Sequence, residues 1–307
     1  MKPKSKLLSI SGATTSILSR MFIEIEPMQR IKTVTEYSKE LDVSRGTIQN
    51  SIKFLTENNA IKLESRGQLG TFIIEKDLIK LLQISGLNYI VGAMPLPYSK
   101  RYEGLSTAII QSIENNLNIP INMSYMRGSK NRVEMVLSGR CDFAIMSKFA
   151  ALEAIKENEN LEIVKEFGEY SYLSGHVLMY IDKNFNQIED GMVAAIDRDS
   201  VDQERLTLLA CNNKDIDFIY TNYSQLTTNL ESSKIDFAIW NGDELKDKHS
   251  KIMTKDIDLN DSVNTNAVIV IDKTRLDMKK IIQDFIDIDY VKDIQKQIIE
   301  YKLIPKY

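Results

Sequence analysis

Two stretches of this chain resemble each other closely enough to constrain its fold: LSGRCDFAIMS at residues 137–147 and ESSKIDFAIWN at 231–241, with Asp142 and Asp236 separated by 94 residues. Each reads as a helix end, a polar break and a short apolar strand. The runs around them repeat the order β then α. Leu87 to Ala93, Ile121 to Tyr125 and Asp142 to Met146 read as strands, with helices over Tyr102 to Asn116 and Asn131 to Ser138. The second set has strands at Met192 to Ile196, Ile216 to Tyr220 and Ile235 to Trp240, with helices over Ser200 to Cys211 and Ser224 to Glu231. Short apolar runs bounded by turns are the pattern of strands covered on both faces. Two such units predict an α/β domain of two lobes, in which Asp142 and Asp236 are structural turn or cap residues.

The chain before residue 87 has a different texture. A helix from Gly12 or Ala13 to about Ile25 is expected to pack through Ile17, Leu18, Met21, Phe22 and Ile25, ending at Pro27. Thr33 and Glu36 have capping-box spacing, and Val34, Tyr37 and Leu41 form the apolar stripe of the helix that follows. Asp42 and Val43 turn the chain, and Ser44 suits the N-cap of a second helix with Ile48, Ile52 and Leu55 facing inward. Ile61 and Leu63, a reversal around residues 65–70, then Phe72 and Ile74 predict a hairpin. This is a winged helix-turn-helix. Arg45, Gly46, Thr47, Gln49, Asn50 and Lys53 face outward, where arginine and amide side chains suit base edges of a major groove. Thr33 and Ser44 offer capped helix N-termini to phosphate, and Arg66, Gly67 and Gln68 form a wing tip suited to a minor groove or backbone.

Charge is divided accordingly. Residues 1–80 hold 13 Lys and Arg against 9 Asp and Glu, a balance of +4, and the remainder holds 26 against 34, a balance of −8. Only the amino-terminal part attracts a duplex. Cys141 and Cys211 do not make a disulfide framework and are expected as reduced, packed thiols. The start MKPKSKLLSISGATTS has no signal-peptide core, and no run approaches a membrane span, so a cytoplasmic protein is expected.

LDVSRGTIQNSIKFL and RGQLGTFI resemble the turn, inner face and wing of the GntR-type winged-helix repressors. Gln49 stands where that family usually has a base-reading arginine, and no proline-serine cap precedes Thr33, so the resemblance implies DNA binding and leaves the operator open. The helix-to-Asp-Phe-Ala-Ile repeat is similar to the type 2 periplasmic-binding-protein fold over about residues 87–307. That fold implies that the last strand, NAVIVI at 266–271, returns to the first lobe. The helices after Lys273 then pack there through Ile281, Ile282, Phe285, Ile288, Val291, Ile294 and Ile298. Together with MPLPYSKRYEGL after the first strand, the whole resembles the YhfZ-type GntR-like regulators. The implied domains are 1–75 (reader), 76–86 (connector helix, the expected hinge) and 87–307 (sensor). Its lobes would cover about 87–181 with 264–307, and about 182–263.

In open α/β sheets ligands lie beyond the carboxyl ends of strands, beside helix N-termini. The loops there carry Tyr98, Ser99, Lys100, Arg101, Arg127, Ser129, Ser147 and Lys148 in the first lobe. The second lobe supplies Asp197, Arg198, Ser200, Asn222, Trp240 and Asn241. Hydroxyls and helix starts beside Arg and Lys favour a small anionic effector, a carboxylate or phosphate. A serine or aspartate at a helix start is a cap first and a ligand contact second, and Trp240 is equally interlobe core. His176 and His249 lack metal spacing, no CxxC, GxSxG or Walker-type loop exists, and no catalytic residue, metal or cofactor is assigned. His176 reads as a satisfied interlobe histidine.

The expectation is therefore a homodimeric regulator that binds two-fold operator DNA and responds to a small anionic metabolite. The rivals are a two-lobed α/β enzyme with a vestigial reader and a DNA organiser whose second domain only dimerises.

Overall fold

The computed structural model describes residues 9–244, 251–257 and 262–306. His249 lies outside them. The chain forms two compact units, one comprising the chain up to Ile90 with Leu276–Ile281, the other Val91–Arg275 with Ile282 onward.

In the first unit, α1 (Ile10–Glu24), α2 (Val34–Leu41) and α3 (Arg45–Glu57) precede the hairpin of β1 (Ile61–Ser65) and β2 (Thr71–Lys76), and α4 (Leu78–Ile84) follows. The capping box at Thr33 is formed: Glu36 Oε2 accepts the Thr33 NH at 2.6 Å while Thr33 Oγ1 accepts the Glu36 NH at 3.2 Å. Ser44 caps α3 by accepting the Thr47 NH at 3.1 Å. Leu18, Phe22, Ile23, Tyr37, Ile48, Leu55, Ile73, Leu81 and Leu82 make the core, with Phe22 edge-on to Tyr37 at 5.9 Å.

The buried face of α1 is rotated from the expected one. Ile17 is 45% exposed, and Thr15 and Ser19 take the inward positions. Their hydroxyls are short enough to let helices approach and still bond across, Thr15 to the Ser51 hydroxyl at 2.9 Å and Ser19 to the Leu81 carbonyl at 2.7 Å. The second of these bonds fixes α4 on α1. The expected connector helix is thus packed into the first unit, with Leu81 and Leu82 fully buried.

The second unit holds two five-stranded sheets. The first has the order β4-β3-β5-β12-β6, from β3 (Ile90–Met94), β4 (Ile121–Tyr125), β5 (Phe143–Ser147), β6 (Leu161–Glu166) and β12 (Ala267–Asp272). β3 and β5 run parallel, and β12 returns antiparallel between β5 and β6. α5 (Lys100–Leu117), α6 (Ser129–Leu137) and α7 (Lys148–Glu157) surround that sheet.

The second sheet has the order β11-β7-β10-β8-β9, from β7 (His176–Tyr180), β8 (Val193–Ile196), β9 (Asp217–Tyr220), β10 (Phe237–Asn241) and β11 (Met253–Asp256). α8 (Val201–Ala210) and α9 (Leu226–Glu231) connect its strands. β7 pairs antiparallel with both β10 and β11, so the second lobe takes in His176–Tyr180, which the expected boundary at residue 181 had left in the first. An apolar run does not encode which sheet it joins; the antiparallel register does.

α10 (Leu276–Phe285) and α11 (Ile288–Ile299) end the chain. α11 lies along α5 through Val291, Ile294 and Ile298, at a place where Gly104 leaves no room for a Cβ, which would come within 2.8 Å of the Gln295 backbone. The first part of α10, including Ile281, belongs to the first unit, in contrast to the expected packing on the first lobe. Phe285 and Ile288 are only half-buried.

Candidate functional site

The reading face in the first unit follows from the two caps. With Ile48 and Leu55 turned into the core, Arg45, Gly46, Gln49, Asn50 and Lys53 are exposed on α3. Arg45 has no ion-pair partner among the described residues, whereas Lys53 faces Glu57 at 3.6 Å. Thr47 is half-buried, its hydroxyl 2.9 Å from that of Ser44, so Ser44 and Thr47 serve the cap. At the wing, Gly67 and Gly70 have φ of 57° and 96°, which close the reversal. Gly67 and Gln68 are exposed at its tip. Arg66 rests on the hairpin itself, its guanidinium 4.7 Å from the Phe72 ring centroid and its Nε donating to Glu64 at 2.8 Å. This face presents donors and cations and buries no charge.

In the second unit, a cavity of about 100 Å³ lies between the lobes. The first lobe contributes Tyr98, Tyr102, Arg127, Ser129, Arg132 and Tyr172 to its walls; the second contributes His176, Asp197, Ser200, Asp202, Tyr223, Trp240, Asn241 and Glu244, among others. α6 opens on it, and its first turn receives no side-chain cap. Gly128 permits the lobes to meet there: with φ of 74°, a Cβ on it would lie 2.9 Å from the Asp199 carbonyl oxygen.

Among the described residues, five buried side-chain nitrogen or oxygen atoms lack a hydrogen-bond partner, and four of them are on cavity residues: Arg127 Nε, Ser129 Oγ, Arg132 Nε and Trp240 Nε1. The other guanidinium nitrogens each make one hydrogen bond. Arg132 reaches the Met126 carbonyl at 3.1 Å and the Tyr172 hydroxyl at 3.3 Å, and Arg127 reaches Asn222 at 3.1 Å and the Tyr98 hydroxyl at 2.8 Å. Neither arginine meets a carboxylate among the described residues. Arg132 is only 4% exposed, so a whole positive charge is held away from water without an ion partner.

The acids of the cavity are occupied by the fold. Asp197 accepts the NH groups of Asp199 at 2.9 Å and Tyr223 at 2.8 Å. Asp202 ties the lobes together, accepting the Ser147 hydroxyl at 2.7 Å and the Asn264 amide. Glu244 accepts from the Asn241 amide at 3.3 Å. The aromatic walls pair as Tyr102 with Tyr172 at 5.1 Å and Tyr223 stacked on Trp240 at 4.1 Å. Burial pushes the Tyr172 hydroxyl up to about 12 and the His176 imidazole down to about 4, the latter against the opposing pull of Asp243. Tyr102, Tyr172 and Tyr223 are therefore neutral near pH 7, and His176 is uncharged.

Of the ligand-loop residues, the structure brings Tyr98, Arg127, Ser129, Asp197, Ser200, Trp240 and Asn241 to the cavity. Ser99 is a buried cap on the Tyr102 NH, Lys100 pairs with Glu103 at 2.6 Å, and Arg101 crosses to Asp243 at 3.2 Å. These three line a separate opening of about 330 Å³. Ser147 caps α7 and binds Asp202, Lys148 pairs with Glu166 at 2.8 Å, Arg198 lies over the Tyr220 ring at 3.7 Å, and Asn222 holds Arg127. Arg132, Tyr172, His176, Asp202 and Glu244 line the cavity without having been singled out for it. Arg132 sits one turn into α6, at a spacing that Ser129 already implied. Among the described residues no group of three His, Cys, Asp or Glu side chains is placed to hold a metal ion, and no helix is long and apolar enough to cross a membrane.

Two family models match the chain. Residues 29–73 match a family model described as a helix-turn-helix domain, and residues 77–307 match the YhfZ C-terminal domain. The chain is 30% identical over 230 residues to the uncharacterized protein YhfZ of Escherichia coli strain K12, covering 75% of this chain and 74% of that one. The crystal structure of YhfZ from Shigella flexneri superposes with a TM-score of 0.62 at 26% identity, over 75% of this chain and 98% of that one. Two remoter structures share the fold. One is the amino acid ABC transporter substrate-binding protein AbpA of Streptococcus pneumoniae bound to L-arginine, with a TM-score of 0.53 at 15% identity over 72% of this chain and 96% of that one. The other is the periplasmic VFT2 domain of Bordetella pertussis BvgS, with a TM-score of 0.52 at 13% identity over 72% and 97%. The chain belongs to the YhfZ family, joining that family's C-terminal domain, in a periplasmic-binding-protein-like fold, to a helix-turn-helix domain, which is the makeup of a transcriptional regulator.

Proposed function

We propose that this regulator is ligand-controlled: a cytoplasmic homodimer reads a two-fold operator through α3 and the β1–β2 wing, and a small carboxylate-bearing metabolite in the interlobe cavity sets its affinity for that operator. The observation that carries the reading is the concentration of unpartnered donors at one cavity. Arg127, Ser129, Arg132 and Trp240 each bring a buried polar atom to it without an acceptor. Leaving such a group unmet costs about 1–3 kcal/mol, more for a charged one, and an anionic oxygen removes that cost on binding. The solved relative bound to L-arginine uses the same fold for a carboxylate-containing ligand.

Exposed Arg45, Gln49 and Asn50 on a capped helix support major-groove reading, with Arg66 able to leave Phe72 for phosphate. One winged helix contacts a half-site, hence the dimer. The chain passes between its two units at residues 90–91, 275–276 and 281–282, so a rearrangement in the second unit has covalent routes to the first.

The test has two arms on the full chain. Selection from random duplexes is expected to enrich a two-fold sequence, and a melting-temperature screen of small carboxylates and phosphates is expected to find a stabilising ligand. Absence of both an enriched duplex and a stabilising anion contradicts the reading.

A further inference from the structure

The charges around the cavity do not suit a simple anion. Its walls carry two cations, Arg127 and Arg132, against three acids, Asp197, Asp202 and Glu244. His176 adds none at neutral pH. A carboxylate alone deepens this negative excess in a water-poor space, and a phosphate deepens it further. The arginines and the acids are also kept apart: no ion pair joins them among the described residues, although all line one small space. The acids are not spent on the arginines, and the arginines keep spare donors.

Aromatic rings wall the same space. Tyr102 and Tyr172 are 5% exposed and 5.1 Å apart, and Tyr223 lies flat against Trp240. Glu244 lines the same cavity as Tyr102, Tyr172, Tyr223 and Trp240. Aromatic faces beside a carboxylate attract an ammonium group and leave an uncharged or anionic one unrewarded.

Resting on the cleft reading above, we propose that the ligand is a small zwitterion, its carboxylate held by Arg127, Arg132 and Ser129 and its ammonium by the tyrosine–tryptophan walls and Glu244. A cavity of about 100 Å³ is smaller than the roughly 150 Å³ that takes benzene, so it suits the smallest amino acids. Such a ligand leaves the charge of the site unchanged while its carboxylate satisfies the spare donors of Arg127, Ser129 and Arg132.

Calorimetric titration of the full chain tests this with the twenty L-amino acids and glycine betaine, inorganic phosphate, and, for aliphatic amino acids, the des-amino acid and the primary amide. A zwitterion is expected to bind at least about tenfold more tightly than either of its half-charged counterparts. Glu244→Gln is expected to reduce its affinity by at least about fivefold and to leave the des-amino acid unaffected, with Trp240→Phe as a second variant should Glu244→Gln fail to fold. A des-amino acid or phosphate that binds as tightly as any zwitterion overturns this inference and leaves the carboxylate-binding cleft standing. No binding by any probe overturns both.

Discussion

Asp142 and Val91 hold each other twice: the Asp142 carboxylate accepts the Val91 NH at 2.8 Å, and the Asp142 NH donates to the Val91 carbonyl at 2.7 Å. Asp236 and Val193 repeat both bonds in the second lobe, at 2.7 Å and 2.8 Å. The recurring aspartate therefore pins the start of one central strand to the start of its neighbour. Asp142→Ala and Asp236→Ala each remove an acceptor from a strand NH and are expected to lower stability by about 1–3 kcal/mol. Urea denaturation followed by the fluorescence of Trp240, the chain's sole tryptophan, reads this directly.

Arg132 predicts a trade of stability against binding. Replacing a buried, unpaired charge by an apolar side chain of similar length relieves its desolvation, so Arg132→Met is expected to gain about 1 kcal/mol or more in the ligand-free state. The same variant loses ligand-induced stabilisation. Melting temperatures with and without the best ligand check both signs.

His176 makes a pH prediction. Its folded value, about 4, lies below its ordinary value of 6.5 because burial penalises the charged ring. Between those values the unfolded chain binds a proton that the folded one refuses, so stability rises with pH across that window and is lost as pH falls through it. The contribution is at most about 3.5 kcal/mol, since one pKa unit is worth about 1.4 kcal/mol. Denaturation series between pH 4 and 7 should show the slope, flattened in His176→Gln.

The reader yields graded effects. Arg45→Ala is expected to weaken operator binding by about 1–3 kcal/mol and to relax sequence preference, while Arg66→Ala lowers affinity across sequences and reduces the salt slope by about one. Fluorescence anisotropy at several salt concentrations separates the two. Unchanged affinity in both variants contradicts the assigned contacts.

Local signals in the sequence carried much of this architecture. Thr33 with Glu36, Ser44 and the glycines of the wing act within a few residues of themselves, so their spacing encodes what they do. The Asp-Phe-Ala-Ile repeat encodes two lobes because each copy must satisfy the same strand edge. What spacing does not carry is pairing at a distance. Ser147 meets Asp202, Arg101 meets Asp243 and β7 meets β11 only once the chain has folded, so neither these contacts nor the sheet that β7 joins was legible in the spacing. Arg132, Tyr172 and Glu244 carry no motif, and their part in the cavity comes from where the folded chain places them.

Operator affinity measured with the zwitterion panel present tests the central claim most directly. At least one compound is expected to change the dissociation constant of the full chain for its selected duplex by about fivefold or more, while Arg132→Met still binds the duplex but no longer responds. A compound that binds the cleft yet leaves operator affinity unchanged contradicts it.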